Sequence, residues 1–348
     1  MVYLTPKSKK TATGLKRFYD QGEAFLVKAD LKSARKSFES ALKVAQAASD
    51  FAGTALCLLK LGRVLELLGE YDRAREIYQE SHDLHLQLKN NPGVARSQAF
   101  LGNVAWAKGD YISAFELLED ADSHFKQADD FSGQAWVSDL MGNLYLSKGM
   151  DREAEICHRA AYAMALEIGE NPEGQAWNEY HLAAIELFRG RLEQAREGFG
   201  KALKFFTHRE DILGQVATLI HLGEIACDQK EKMEAEKHIL QSLRLVIPTQ
   251  CKPLLADTLT GLARLIKLRG EYQKAIGILM FALSHPTCRQ QTKDSMASLA
   301  QSLEANFSDE VIKSGFHWAK ELTIEELAST WLAALSPKQP KTKRSPRK

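Results

Sequence analysis

The sequence lacks several features that mark particular classes of protein. It has only five cysteines in 348 residues, and none of them forms a C-x-x-C pair, so neither a zinc motif nor a redox motif is indicated. No run of about 18 apolar residues occurs, and we therefore expect no membrane-spanning helix and no membrane partner. The formal net charge of +1 is too small to attract nucleic acid over the whole surface.

Catalytic and nucleotide-binding motifs are also missing. The chain contains no G-x-x-x-x-G-K-[ST], no G-x-G-x-x-G after a strand, no H-E-x-x-H and no G-x-S-x-G. We therefore expect no enzymatic activity and no cofactor. The basic N-terminal segment has no apolar stretch of a secretory signal, and the scattered cysteines suit a reducing compartment, so we expect a cytoplasmic protein.

The sequence does contain a repeat with a period of 40 residues. Small residues recur at steps of 40 or 41, and we call them the anchors: Gly22, Gly62, Gly102, Gly142, Ala183, Gly223 and Ala263. Seven residues after each anchor stand Ala29, Gly69, Gly109, Gly149, Gly190, Lys230 and Gly270. Twelve residues after it stands an alanine each time: Ala34, Ala74, Ala114, Ala154, Ala195, Ala235 and Ala275. Sixteen residues after it stand larger side chains: Phe38, Tyr78, Leu118, His158, Phe199, Ile239 and Leu279.

Each of these columns has a physical reason. A glycine in mid-helix costs about 1 kcal/mol relative to alanine, so a recurring one indicates close approach of a neighbouring helix. The glycine seven residues later provides the left-handed residue that ends a helix. The alanine marks a tight crossing between two helices. Lys230 replaces the turn glycine in repeat six, and Cys251 stands where other repeats carry an Asp or Asn at the start of the first helix. We therefore expect looser geometry at these places in repeats six and seven, and also in repeat one, which lacks the Asp/Asn–Gly lead-in.

A further column predicts where the first helix of each repeat begins. The residues are Asp50, Asn90, Asp130, Asn171 and Asp211, each followed three positions later by a glycine. Asp and Asn at this position accept hydrogen bonds from the free amides of a helix N-terminus. The unit is therefore a cap, a first helix (helix A), a glycine turn and a second helix (helix B).

The segments LGRVLELLGEYDRAR (61–75) and LGNVAWAKGDYISAF (101–115) resemble the tetratricopeptide repeat signature. The 40-residue period is similar to arrays in bacterial signalling ATPases, maltose-regulator-type transcription factors and spindle-orientation scaffolds. The resemblance implies an all-α, right-handed α-solenoid of about seven hairpins over residues 13–285, with a disordered segment over 1–12. It also implies that the A helices line a concave groove that binds a protein or a peptide.

The resemblance places candidate partner-binding residues by their position in the repeat. In the family, the slot after the anchor often carries an Asn that binds a peptide backbone, and Asn103 and Asn143 occupy it here. Aromatic and Arg side chains beside polar ones are typical of binding hot spots. The candidates are Arg63, Arg96, Asn103, Trp106, Trp136, Asp139, Asn143, Trp177, Tyr180, His181, Glu224 and Arg264. We expect the ligand in the groove of repeats two to five.

The C-terminal residues do not follow the repeat. Residues 286–335 are predicted to form capping helices, with Thr323 and Glu326 spaced as a capping box; a docking helix for a partner is the alternative. The tail 336–348 has six basic and no acidic residues, and we expect it to be disordered. It supports a second hypothesis, a regulatory or nucleic-acid-associated protein that uses the tail while the repeats act as a sensor or docking module.

Two histidines raise a third hypothesis. His181 and His221 occupy the same position in successive repeats, and Glu224 lies nearby in sequence. They could hold a metal ion, but two histidines in equivalent slots are more often packing or ligand-binding residues, and we therefore predict no metal site. His158 and His238 lie on B helices, where we expect them to fill the interior of the solenoid.

Overall fold

The computed structural model describes residues 6–169, 172–306, 310, 317 and 321–336. These residues form helices joined by short turns, and no strand occurs among them. The helices are α1 (Pro6–Val27), α2 (Leu31–Ala47), α3 (Phe51–Leu67), α4 (Tyr71–Gln87), α5 (Asn91–Lys108), α6 (Tyr111–Gln127), α7 (Phe131–Ser147), α8 (Asp151–Ile168), α9 (Pro172–Phe188), α10 (Leu192–His208), α11 (Ile212–Asp228), α12 (Lys232–Thr249), α13 (Lys252–Leu268), α14 (Tyr272–Ser284), α15 (Gln290–Asn306) and α16 (Ile324–Leu335).

The first fourteen helices pair into seven hairpins, as the repeat predicts. The odd-numbered helices are the A helices and the even-numbered ones the B helices, and each pair packs closely. Several successive A helices also contact each other directly, among them α3 with α5 and α11 with α13. The A helices therefore lie on the inner side of an all-α solenoid. Helix α1 begins at Pro6, inside the segment 1–12 that we expected to be disordered.

The anchors lie where two helices of a hairpin touch, as predicted. A Cβ atom added to Gly62 would stand 2.4 Å from the Tyr78 ring, and one added to Gly142 would stand 2.6 Å from the His158 ring. The anchor and the residue sixteen positions later are thus contact partners across the hairpin. All seven alanines of the repeat are completely buried. Small residues at both positions allow the two helices to approach closely.

The turns within the hairpins are left-handed in all seven repeats. The five glycines of this column have φ between 73° and 85°, while Ala29 has φ 54° and Lys230 has φ 61°. The expectation of looser geometry at Lys230 is wrong, because the amide of Glu231 still donates to the carbonyl of Ala226 at 2.8 Å. This backbone bond, which recurs at the same place in the other hairpins, holds the turn without a glycine.

We predict that Lys230→Gly stabilises the protein. Lys230 is exposed and pays the cost of a left-handed backbone, which glycine adopts freely. The expected gain is about 0.5–1 kcal/mol in the free energy of unfolding, measured by urea denaturation. Gly270→Ala is the reverse test at the same turn of repeat seven. Gly270 has φ 84°, and an added Cβ would meet no described atom within 4 Å, so the substitution should lower the free energy of unfolding through backbone strain alone. A loss of stability in Lys230→Gly would contradict this account of the turn.

The predicted caps are also present. Asp50, Asn90, Asp130 and Asp211 each accept a hydrogen bond from the amide of the glycine three residues later. Asn171 lies outside the described residues, and Cys251 makes no side-chain cap at α13. The B helices add a turn that the sequence analysis did not anticipate. Five of the seven B helices, all except α8 and α14, are followed by a left-handed residue that is not glycine: Ser49, Lys89, Asp129, Glu210 and Gln250.

The C-terminal part closes the solenoid. The Thr323–Glu326 capping box forms as predicted, and the apolar side of α16 packs on α12 and α13. Helix α15 packs on α14 and also contacts α5 in the third hairpin. The segment 287–294 therefore joins the C-terminal part to repeats two and three, with Tyr71 Oη donating to the carbonyl of Thr287 at 3.4 Å and Tyr111 Oη to Asp294 at 2.8 Å. Residues 337–348, which include nearly all of the basic tail, lie outside the described part. Within that part, no helix is long and apolar enough to cross a membrane.

Candidate functional site

The predicted groove residues lie on A helices, and most of them are already hydrogen-bonded or ion-paired to other side chains of the array. The first cluster surrounds Glu66, a buried carboxylate on α3. Its Oε1 accepts from Arg63 at 2.6 Å and from Asn103 at 2.6 Å, and its Oε2 accepts from Tyr78 Oη at 3.1 Å. The charge of Glu66 raises the pKa of the Arg63 guanidinium. Asn103 therefore uses its amide to join repeats two and three, rather than presenting it free.

The second cluster surrounds Asp139, on α7. One carboxylate oxygen lies 2.8 Å from His158 Nδ1 and the other lies 3.2 Å from His181 Nε2. The two imidazole rings are parallel, with centroids 4.4 Å apart. Burial disfavours the Asp139 carboxylate, but the two histidines outweigh it and hold the pKa of Asp139 well below its usual range. Burial lowers the pKa of His158, which favours a neutral ring.

The third cluster runs across the next three A helices. Tyr180 Oη on α9 lies 3.1 Å from His221 Nε2 on α11, and His221 Nδ1 lies 3.3 Å from Glu224. Glu224 in turn pairs with Arg264 on α13 at 2.8 Å. Burial raises the pKa of Glu224, but His221 and Arg264 outweigh it and the net shift is downward. This chain of contacts links repeats five, six and seven.

The histidine hypothesis needs a correction. His221 contacts Glu224, but His181 does not join them, because it stacks on His158 and contacts Asp139 instead. Among the described residues, the group whose ligand atoms could surround one metal ion is Asp139, His158 and His181. His158 is buried as expected, and it also bonds a carboxylate.

The three tryptophans differ in their surroundings. Trp106 donates its indole N–H to Ser147 Oγ at 2.9 Å, which fixes it between α5 and α7. Trp136 meets the Phe100 ring edge-on at 4.7 Å, and Trp177 lies 4.8 Å from the Phe206 ring. All three remain partly exposed. They therefore pack against the array and also present an aromatic surface.

Two candidates stand apart from the clusters. The Arg96 side chain is about half exposed, at 52%, and pairs with Asp130 at the start of α7 at 3.1 Å. Asn143 on α7 is partly exposed, and its side-chain amide has no hydrogen-bond partner within the described residues. Asn143 is therefore the predicted groove residue whose amide can accept a ligand without breaking an existing bond.

The inner surface is not equally open along the array. The inner helices α3, α11 and α13 are buried over most of their length, whereas α7 and α9 carry mainly partly exposed residues. The segment 287–294 contributes to this burial, because Arg289 pairs with Asp257 on α13 and Thr292 Oγ1 donates to the same carboxylate at 2.6 Å. The groove predicted over repeats two to five is therefore most open at repeats four and five.

The sequence analysis did not select Glu66 and Tyr78 of the first cluster as candidates. It also did not select Asp257 and Arg289, which form a separate ion pair. A signal was present for His158, since it is the one imidazole in a column of apolar and aromatic side chains. No periodic signal marks Arg289, which lies beyond the last repeat.

The architecture defines a class: an α-solenoid of antiparallel hairpins with the A helices inside. Residues 18–87 and 54–127 match the family model for the tetratricopeptide repeat, and the same hairpin geometry continues to Ser284. Residues 18–127 are therefore tetratricopeptide repeats. No curated protein sequence matches the chain.

Three solved structures share the fold. The Rap conjugation gene regulator of plasmid pLS20, in complex with the Phr* peptide, has a TM-score of 0.64 at 14% identity, over 89% of this chain and 81% of that chain. A Rap protein complexed with the Competence and Sporulation Factor has a TM-score of 0.59 at 11% identity, over 94% and 100%. Apo RapI has a TM-score of 0.53 at 12% identity, over 84% and 99%. At these identities the likeness shows the fold alone.

Proposed function

We propose that this protein is a cytoplasmic binding scaffold, not an enzyme, and that it holds a peptide or an extended protein segment on the inner surface of α7 and α9. The observation that carries the proposal is the open stretch of inner surface at repeats four and five. There Trp136 and Trp177 occupy the same slot of successive repeats, and the unpartnered amide of Asn143 lies on the same helix as Trp136.

The chemistry of this surface suits an extended chain. An Asn amide offers both a donor and an acceptor, so it can bind a peptide backbone whatever the side chains are. Partly buried tryptophans supply rigid apolar area, which is typical of residues that contribute most to binding. The Rap structures, one with the Phr* peptide and one with the Competence and Sporulation Factor, support the proposal that an array of this fold binds such ligands. The five cysteines are free, which suits the cytoplasm.

We predict that peptides selected from a random library on the wild-type protein bind Trp136→Ala at least 10-fold more weakly. Loss of a central aromatic side chain commonly removes about 2 kcal/mol of binding free energy. Asn143→Ala should weaken the same peptides by about 3–10-fold, since one hydrogen bond contributes about 1 kcal/mol. Isothermal titration calorimetry measures both. Asn143→Ala is a cleaner probe than Asn103→Ala, which would also disturb Glu66.

Matched controls lie outside the inner surface. Ile112 on α6 is an exposed apolar residue, and Gln194 on α10 is an exposed amide. Ile112→Ala and Gln194→Ala should bind the selected peptides as the wild type does. Equal affinity of Trp136→Ala and Ile112→Ala would remove the assignment to α7 and α9, and a library that yields no binder would count against peptide binding itself.

A further inference from the structure

Three helices bring nitrogen and oxygen ligands together at the junction of repeats four and five. Asp139 lies on α7, His158 on α8 and His181 on α9. The ligand atoms of the three side chains, two imidazole nitrogens and a carboxylate oxygen, lie within 4.8 Å of one another. The carboxylate stands 2.8 Å from one imidazole nitrogen and 3.2 Å from the other.

We propose that Asp139, His158 and His181 form a binding site for a transition-metal dication such as Zn²⁺. Two imidazoles and one carboxylate are a ligand set that such ions accept, with a fourth position left for water or a ligand. The proposal rests on these three residues alone and does not depend on peptide binding. It also differs from a site at His181, His221 and Glu224, because His181 belongs to the Asp139 cluster while His221 contacts Glu224.

The distances decide how much the side chains must move. With metal–ligand bonds of about 2.0–2.1 Å, two ligands of a tetrahedral ion lie about 3.3 Å apart. The carboxylate contacts each imidazole with a different oxygen, Oδ1 at 2.8 Å from His158 Nδ1 and Oδ2 at 3.2 Å from His181 Nε2. It would therefore bind the ion with both oxygens or turn so that one oxygen serves as the ligand, and the two imidazole nitrogens have to point at the same place. Because the rings are parallel, one of them has to tilt so that both lone pairs meet at one point.

Burial indicates which ring moves and how the ion enters. The His158 side chain is fully buried and packs against Gly142, whereas His181 is slightly exposed and Asp139 is 29% exposed. His181 is therefore the ring that can tilt, and the ion reaches the site past Asp139.

The same burial selects the ion. His158 Nε2 is buried and has no hydrogen-bond partner among the residues that the structure describes. Metal coordination through Nδ1 leaves the ring proton on this unpartnered nitrogen. A buried N–H without an acceptor costs free energy, which the metal–imidazole bond has to offset. Ions that bind imidazole strongly, such as Zn²⁺, Ni²⁺ or Cu²⁺, can do so, whereas Mg²⁺ and Ca²⁺ prefer oxygen ligands.

A bound ion would join α7, α8 and α9 in one coordination sphere. The His181 ring lies 5.9 Å from Trp177, so the ion would also fix the helix that carries one of the proposed binding tryptophans. The site would then act as a clamp between two repeats rather than as a catalytic centre.

The test uses the full chain, free of any affinity tag with histidines and treated with a chelator. Co²⁺ is titrated in the presence of Mg²⁺, and visible absorption reports the coordination. We expect one equivalent of Co²⁺ with the intense bands of a four-coordinate ion, displaced by Zn²⁺. Asp139→Asn and His181→Gln should each weaken binding at least 10-fold, as even indirect contacts to a metal cost 10–100-fold. His221→Gln, the equivalent position one repeat later, is the matched control and should bind as the wild type does.

Thermal unfolding with and without Zn²⁺ gives a second readout. Zn²⁺ should raise the Tm of the wild type and of His221→Gln but leave that of Asp139→Asn unchanged. Circular dichroism of the metal-free variants establishes that each is folded. Absence of a stoichiometric Co²⁺ complex in the wild type would overturn the proposal, as would equal binding by His181→Gln and His221→Gln. Both outcomes are independent of whether any peptide binds.

Discussion

Asp257→Ala is expected to destabilise the protein by about 2–4 kcal/mol. Asp257 is buried on α13, pairs with Arg289 and accepts a hydrogen bond from Thr292 at 2.6 Å. Removing one partner of a buried ion pair leaves the other charge without compensation, which costs about 3–5 kcal/mol when the pair is fully buried. We lower this figure because the Arg289 side chain is 31% exposed. Urea denaturation followed by circular dichroism measures the loss.

Asp257→Ala should also loosen the contact between the segment 287–294 and repeats two and three. Arg289 and Thr292 belong to the segment that reaches Tyr71 and Tyr111, so hydrogen exchange should become faster at the turns before α4 and α6. The control is Asp228→Ala, which removes a more exposed carboxylate 3.3 Å from Arg264 and should cost less than about 1 kcal/mol. If Asp257→Ala and Asp228→Ala lower the free energy of unfolding equally, the contacts of Asp257 with the segment 287–294 contribute no more than a surface ion pair.

Replacing Gly62 by alanine is expected to cost about 2–3 kcal/mol, although alanine is the better helix former. The new Cβ would stand 2.4 Å from Tyr78 Cε1. That ring is completely buried, stacks on Phe100 with centroids 4.9 Å apart and donates its hydroxyl to Glu66. It cannot move away without breaking these contacts, and overpacking of this kind commonly costs 1–3 kcal/mol or more.

Two other glycines make this a graded test. Gly102 occupies the same repeat position, but its nearest neighbour is the Leu118 side chain at 3.0 Å, which can adjust, so Gly102→Ala should change stability by less than about 1 kcal/mol. A Cβ atom added to Gly200 on α10 would meet no described atom within 4 Å beyond its own helix backbone, and Gly200→Ala should stabilise by up to about 1 kcal/mol through helix propensity alone. The order of the three free energies of unfolding is the result to compare. If Gly62→Ala lowers the free energy of unfolding no more than Gly102→Ala does, the Tyr78 ring can move aside and the account is wrong.

Much of the fold is predictable from the sequence because the constraints recur every 40 residues. The anchor, the turn residue and the alanine each have the same local task in every hairpin, so seven copies make a weak signal clear. Lys230 shows the limit of this reasoning. A turn held by backbone hydrogen bonds does not need its usual glycine, and a departure in one column does not by itself alter the geometry.

The candidate site is less predictable, for two physical reasons. Slot positions indicate which residues face inward, as they do for Asp139 and His181, but not which of them bond to each other, because this depends on the register of three helices and on side-chain rotamers. The reach of residues 287–294 to repeats two and three depends on the rotation between successive hairpins, added over the whole array. No local pattern encodes that sum, so Arg289 and its contact with Asp257 could not be foreseen.

The contacts made by residues 287–294 also bear on how the chain folds. In an open repeat array each unit touches only its neighbours, so folding can start anywhere, and the terminal units unfold first. Here the closing contacts join residues between 183 and 216 positions apart. Such pairs form late, because the entropy of closing a long loop has to be overcome first. Once formed, they tie repeats two and three to the C-terminal part, so we expect the repeats between them to unfold together instead of one by one.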